Sequence, residues 1–414
     1  MYSHGRFEHL FALGSALVLL RNLPQHPGVT EKTSGIRAVL FVCALAVVIL
    51  LGKNDLRLNT GPKYVEEPRE SLDFIKSNKI PGPIFNEYGD GGQLIWELYP
   101  EYKVFIDGRT PNLYDANFFW IYRAAADKGI FEDLVKKYSI TTVIYPHHFP
   151  FVKEALPSDT WHLVFFDNYD SVYVRETDAT KQLIADRKYL LLNPSNDKKF
   201  YESLCLPEKE NERAILTTEA SRNIGELQFP VYGTVSLSTL AITCEYSESY
   251  RGLEQQLTDL ISNAPRSRYT PLLYQHRGTL RLRLGRAAEA AEDFKQALKI
   301  SPNSVEHLTG LGTAYFNLSE YSTAAKIFER IVRMAGYEKN VPATLYQIFG
   351  WTLYHLDQNQ RAIDYMQRYL KAVGEEKITA VDYLYLSRVY RDAGKQSEAD
   401  LYLQKAIALD PSIE

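Results

Sequence analysis

The sequence is poor in the residues on which most site chemistry depends, with 3 cysteines, 3 methionines and 9 histidines among 414 residues. Cys43, Cys205 and Cys244 include no CxxC pair, so neither a zinc site nor a thioredoxin-type redox pair can be drawn from them. Cys43 lies in an apolar run and reads as a small buried hydrophobe. Cys205 and Cys244 read as free thiols, with a disulfide open to them in an oxidising compartment. GxSxG and HExxH are missing, which removes the commonest hydrolase signatures. His147 and His148 are adjacent, and neighbours on a strand face opposite ways, so they would not chelate one metal. Basic residues are not in excess either: 47 Lys and Arg stand against 51 Asp and Glu, a net charge of -4, which excludes the electrostatic footprint of a nucleic-acid binder. No catalytic residue, cofactor or metal site is expected.

What is present is globular composition, 45% hydrophobic and 24% charged, in a chain long enough for two or three domains of about 100–200 residues. Two apolar runs stand near the start. Residues 38–52 read AVLFVCALAVVILLG with no charge, extended to Ile36 if Arg37 snorkels, and residues 10–20 read LFALGSALVLL. We expect one or two transmembrane helices within residues 1–53, from the runs 10–20 and 36–52. Lys and Arg flank both sides almost equally, so charge does not orient them.

From about residue 62 to 180 short apolar stretches alternate with helical spacing. Pro83–Asn86, Lys103–Ile106 and Thr141–Tyr145 read as strands, 162–166 and 171–174 as a hairpin, and the whole as a small α/β domain with a mixed sheet. Polar residues gather where strands end, as they do around binding sites in open α/β sheets. The candidates are Asn86, Glu87, Tyr88, Asp90, Asp107 and Arg109. Glu87, Asp90 and Asp107 could pair as carboxylates or hold a cation, and Arg109 could meet an anion. Against this, Asp90 can be a helix cap and the glycines around it a turn. The Gly89-Asp-Gly-Gly stretch lacks the lysine of a phosphate loop and the GxGxxG spacing.

The run IFNEYGDGGQLIWELYPEYKVFIDGRTPNLY, Ile84 to Tyr114, follows a hydrophobic segment and resembles the stretch after the last span of bacterial multi-spanning glycosyltransferase-like membrane proteins. These are the polyprenyl-phosphate-sugar-dependent transferases of the C-type membrane fold, and the resemblance covers residues 36–175. It implies a domain outside the cytoplasm, at the bacterial inner membrane. Such transferases carry their catalytic acid near the start of many spans, and this chain has room for two. By that resemblance it is the C-terminal fragment of a transferase, or a shortened relative without the catalytic half.

The last third is periodic. Gly278, Gly312, Gly350 and Ser387 recur at intervals of 34, 38 and 37 residues, and Ala290, Ala324, Ala362 and Ala399 recur at the same intervals. This resembles the tetratricopeptide (TPR) pattern, in which a small residue on helix A and an alanine on helix B let the two helices approach closely. We expect four units, about 271–304, 305–338, 343–376 and 380–413, after a linker and degenerate helical adaptor over 181–270. The resemblance implies a concave groove lined by Gln275, Arg283, Asn317, Gln347, Trp351, Tyr354, His355, Arg388 and Arg391. Trp and Tyr beside Arg is hot-spot composition for a peptide ligand. Leu403, Ala406 and Ile407 near the end are expected to lack cover, which points to a partner or a second copy of the chain packing there, the latter a self-association.

The expected fold class is therefore α+β: N-terminal transmembrane helices, a small α/β domain and a TPR α-solenoid. The expected function is a membrane-anchored TPR protein that assembles complexes at the cell envelope. Its partners would be a protein or peptide in the groove and membrane lipid at the N-terminal helices. The alternative is the transferase fragment.

Overall fold

A computed structural model describes residues 70–108, 116–147, 149, 151–157, 159–263, 267–334, 342–374 and 377–413. The first layer is a four-stranded sheet of β1 (Ile84–Asn86), β2 (Thr142–Pro146), β3 (Trp161–Phe166) and β4 (Asp170–Arg175), in the order β1-β2-β4-β3. β1 lies parallel to β2, and the other pairs are antiparallel. Alternate residues feed two cores, as the period of a strand requires. Phe85, Val143, Tyr145 and Tyr173 enter one, and Ile84, Ile144, Val172 and Val174 the other. A register shift between Leu163 and Phe165 breaks the alternation, so Val164 and Phe165 both enter the second core.

Helices α1 (Glu70–Ser77), α2 (Gly91–Leu98) and α6 (Lys181–Arg187) cover the second core. Helices α3 (Ala116–Arg123), α4 (Lys128–Tyr138) and α5 (Phe151–Ala155) cover the first. That first core continues into α7 (Lys198–Leu204), α8 (Glu210–Glu226) and α9 (Val231–Thr243) through Tyr201, Leu204, Leu216, Ala220 and Leu240. The stretch Lys103–Ile106, expected as a strand, contributes a single bridge between Val104 and Ile84.

The solenoid is built of antiparallel helix pairs. These are α11 (Thr270–Arg283) with α12 (Ala287–Ile300), α13 (Val305–Asn317) with α14 (Tyr321–Arg333), α15 (Ala343–Tyr354) with α16 (Asn359–Val373), and α17 (Ala380–Asp392) with α18 (Gln396–Leu409). Ala290, Ala324, Ala362 and Ala399 are each 0% exposed, which fits their place at the helix crossings. Every turn inside a pair is closed by one residue in the left-handed region: Gly285, Ser319, Asp357 and Gly394. The next residue donates its N–H five positions back, Arg286 to Arg281, Glu320 to Tyr315, Gln358 to Leu353 and Lys395 to Tyr390. This is the bonding of a Schellman cap.

The turn between α9 and α10 (Tyr250–Asn263) has the same build, with Glu245 at φ 60 and Tyr246 donating to Ala241. Ser238 is fully buried on α9, seven residues before Glu245, where Gly278 stands before Gly285. The pair α9 and α10 is thus a fifth unit of the same kind. Arg277, Arg281 and Arg286 join it to the next pair: Arg281 meets Glu254 at 2.9 Å and Asp293 at 2.9 Å, Arg277 donates to Thr258 at 3.1 Å and meets Asp293 at 2.6 Å, and Arg286 meets Glu254 at 2.6 Å.

The expected α+β class with transmembrane helices is corrected. The molecule is mostly helical, with eighteen α-helices and four short strands among the described residues, and it carries a TPR-like solenoid. Residues 181–263, within the stretch expected as a linker and degenerate helical adaptor, supply five of those helices. No helix among the described residues is long and apolar enough to cross a membrane. The longest of them, α8, has 17 residues and carries charges throughout, where a span needs about 20 apolar ones. The expected transmembrane helices are not supported, and the runs 10–20 and 36–52, with Cys43, lie outside the described residues.

The reading of two free thiols is also corrected. Cys205 and Cys244 form a disulfide with a Cα–Cα distance of 5.1 Å, tying the end of α7 to the end of α9.

Candidate functional site

Two sets of residues were candidates, and the fold treats them differently. In the α/β domain, Asn86 is fully buried, and its side chain is saturated by backbone. Its amide nitrogen donates to the carbonyls of Glu87 and Ile106, both at 2.8 Å, and its oxygen accepts from the N–H groups of Phe105 (2.9 Å) and Ile106 (3.3 Å). Asn86 therefore staples the loop after β1 to residues 105–106. Gly91 makes the approach possible, because a Cβ there would lie 2.0 Å from the Ile106 carbonyl oxygen. Asp107 is buried beside this contact.

Glu87 accepts from the N–H of Gly89, and burial together with the Asp90 charge raises its pKa. Asp90 occupies the cap position of α2, but its side chain makes no cap bond; its Oδ1 is 3.4 Å from the hydroxyl of Tyr169. The N–H of Tyr88 donates to the Tyr122 hydroxyl (2.8 Å), which lies 3.2 Å from that of Tyr145. Among the described residues no group of three or more His, Cys, Asp or Glu could hold a metal ion, so the cation reading of Glu87, Asp90 and Asp107 has no support. Arg109 lies outside the described residues. These side chains build the corner between β1 and residues 104–108.

The solenoid candidates gather differently. Trp351, Tyr354 and His355 stand together at the end of α15, and three residues that the sequence analysis missed join them. Phe316 from α13 lies 6.4 Å from Trp351 and 5.7 Å from His355, measured between ring centroids. Tyr321 from α14 stacks on His355 at 4.3 Å, with 6° between planes. Tyr385 from α17 lies 5.1 Å from Trp351 and 5.3 Å from Tyr354. The six rings form one continuous row across three units. The repeat ruler does not reveal it: Phe316, Trp351 and Tyr385 follow one another at 35 and 34 residues where the units advance by 38 and 37, so the three occupy different positions of their repeats.

Tyr354 donates its hydroxyl to Asp392 at 2.6 Å, and that bond is the first cause of its raised pKa. The Arg388 charge lies close enough to Tyr354 and Tyr385 to favour ionisation of both, although burial of Tyr385 outweighs it and raises that pKa too. Arg388 and Arg391 are exposed, with no ion pair or hydrogen bond among the described residues.

Other expected groove residues are occupied or apart. Gln347 donates to Asp382 at 2.6 Å, and Asp382 is buried at 1% exposure. Arg283 pairs with Glu245 at 3.2 Å on the surface, while Gln275 and Asn317 contribute no ring contact to the row. At the C-terminal end the expected lack of cover does not hold for Ala406, which is fully buried; Leu403 is half-buried, and Ile407 is 37% exposed.

The beginning of the solenoid is covered by its own chain. The β3–β4 turn reaches it through Asn168, whose amide donates to the Phe229 carbonyl at 2.6 Å and whose oxygen accepts from the N–H of Val231 at 3.3 Å. The Asn168 carbonyl accepts from Arg268 (3.3 Å) and from the Tyr269 hydroxyl. Tyr232 on α9 packs against His147 and Tyr269, with centroids 4.7 and 5.7 Å away.

Comparison with known proteins agrees with the repeats. Two tetratricopeptide-repeat family models match, over residues 277–339 and 383–413. The chain carries TPR repeats, a helical-pair module that in general binds protein partners, which supports a protein-interaction or assembly role. Similar solved structures include a tetratricopeptide repeat protein from Parabacteroides merdae, at 16% identity and a TM-score of 0.37, covering 56% of this chain and 85% of that one. PilF of Pseudomonas aeruginosa has 14% identity and a TM-score of 0.40, covering 52% and 92%. MamA of Desulfovibrio magneticus has 18% identity and a TM-score of 0.35, covering 43% and 96%. At such scores nothing about function is taken from them. No curated protein matches. The resemblance of residues 36–175 to glycosyltransferase-like proteins finds no support: neither family model reaches that region.

Proposed function

We propose that this protein is an adaptor that captures a partner polypeptide in the groove formed by α13, α15 and α17, and that it works outside the cytoplasm, at the cell envelope. The observation that carries the first part is the row of six rings ending at two unpaired arginines. Rigid aromatic side chains beside Arg supply much contact area at a low ordering cost, which is the composition of interface anchors. The Cys205–Cys244 disulfide supports the second part, since structural disulfides persist in oxidising compartments.

Site-directed photo-crosslinking in the native host tests the capture. A crosslinker replacing Tyr354 or His355, in the groove, is expected to trap a discrete partner, and the same group at Lys371, on α16, to trap none. Equal yields at the two kinds of position would refute the groove as the capture site. Thiol labelling of denatured protein, taken from intact cells, tests the compartment: quantitative labelling of Cys205 and Cys244 without reductant would rule out an oxidising one.

A further inference from the structure

The occupant of the groove can be specified further, on the reading that the groove is the capture site. Three observations bear on its chemistry. First, the open part of the floor is aromatic, with Phe316, Trp351, Tyr354 and Tyr385 linked by centroid distances of 5.1–6.4 Å, so flat apolar groups pack on it best.

Second, the floor offers a ligand's own N–H groups no free acceptor. The nearby acceptors are already engaged: Asp392 accepts from Tyr354, and Asp382 accepts from Gln347, Tyr369 and Thr379. A ligand with many N–H groups would leave them unmatched, whereas one with few N–H groups fits. Third, Arg388 and Arg391 follow Tyr385 on the same helix, exposed and unpaired, and their charge calls for an acid on the ligand.

We infer that the groove binds an extended, proline-containing segment of a partner protein that carries an acidic side chain. The prolines lie on the rings of Trp351, Tyr354 and Tyr385, and the acid sits on Arg388. Proline supplies flat apolar rings without N–H groups, and its stiff polyproline II conformation loses little freedom on binding. The covered start of the solenoid, where the Asn168 turn sits against Tyr269, leaves α13 to α17 as the stretch such a segment can follow.

The test is fluorescence anisotropy on the full chain with three labelled peptides: four Pro-Pro-Glu triplets, the same with Gln for Glu, and the same with Ala for Pro. The first is expected to bind at least about tenfold more tightly than either other, a difference of one decade in Kd. Arg388→Glu is expected to remove that advantage over the Gln peptide, and Trp351→Leu, which keeps an apolar side chain but deletes the flat ring, to weaken binding of both proline peptides. Unchanged thermal melting of both variants excludes misfolding as the cause.

Equal binding of the Glu and Gln peptides would overturn the assignment of the acid to Arg388, and equal binding of the Ala peptide would overturn the proline. If no peptide saturates while Tyr354 still crosslinks a partner, the occupant is wrong and the capture site stands. If crosslinking in the groove matches that at Lys371, the capture site itself falls.

Discussion

Substituting Gly312 by alanine tests whether the small residues of the solenoid are there for packing. A Cβ on Gly312 would lie 2.4 Å from Cε1 and 2.7 Å from Cζ of Phe328, where carbon atoms at rest sit about 3.5–4.0 Å apart. Phe328 cannot give way, since it is 0% exposed and packs on Phe349 at 5.6 Å. Helices α13 and α14 must therefore separate by about 1 Å, an overpacking that costs about 1–3 kcal/mol. Replacing glycine in a helix returns about 0.5–1 kcal/mol, so the net expectation is a loss of about 1–2 kcal/mol. Gly350 faces Met366 instead, with Cγ at 2.8 Å and Sδ at 3.0 Å; Met366 is fully buried as well, but its unbranched thioether adapts more readily than a ring. Gly350→Ala should cost less than Gly312→Ala, about 0–1 kcal/mol net. Gly225, in α8, would meet no heavy atom within 4 Å, and Gly225→Ala should gain about 0.5 kcal/mol. Urea unfolding followed by far-UV circular dichroism ranks the three. A Gly312→Ala variant as stable as the parent would refute the packing argument.

Asp382 accepts from Gln347, Tyr369 and both the N–H and hydroxyl of Thr379, binding three helices at one carboxylate; Asp382→Ala should cost about 2–4 kcal/mol in the same assay, and a loss under 1 kcal/mol would show the donors finding other partners. Burial lowers the pKa of His276 from 6.5 to about 4, so its folded state resists protonation and the unfolded state takes up the proton first. Its contribution is fully present above pH 6.5 and is lost as pH falls towards 4, by up to about 3 kcal/mol, and His307 adds in the same direction. His276→Leu should flatten that part of the stability profile, and an unchanged slope would count against the assignment. Reducing the Cys205–Cys244 bond, or Cys244→Ser, should cost about 2–4 kcal/mol by freeing a loop of 39 residues in the unfolded chain; calorimetry with and without reductant measures it.

The repeats were legible because the close approach of two helices admits only small side chains, and Gly278, Gly312, Gly350 and Ser387 record that demand at a fixed interval. The fifth unit was legible only as a degenerate helical adaptor, because Tyr250 stands where the other units have alanine, and what α9 and α10 share with them is backbone: the left-handed Glu245 and the bond from Tyr246 to Ala241. Asn86 looked like a site residue at a strand end, but its side chain bonds to main-chain atoms, one on Glu87 and the others 19 and 20 residues away. Glu219 is the same lesson. It sits in a helix of mixed polarity and reads as solvated, yet it is buried and accepts from the N–H groups of Leu190, Leu191 and Leu192. Of the aromatic row, the members on α15 could be placed from the TPR template, whereas Phe316, Tyr321 and Tyr385 reach it from neighbouring units, so they emerge only once the helices are stacked.

The clasp at Asn168 also bears on how this chain can change over generations. Solenoids ordinarily tolerate gain or loss of whole units, because each touches only its neighbours. Here a unit duplicated between α13 and α16 would leave the clasp alone and lengthen the groove. An insertion just ahead of Ser267 would draw Arg268 and Tyr269 away from the Asn168 carbonyl that both of them hold. Growth is therefore open at the far side of the array and closed where it meets the sheet.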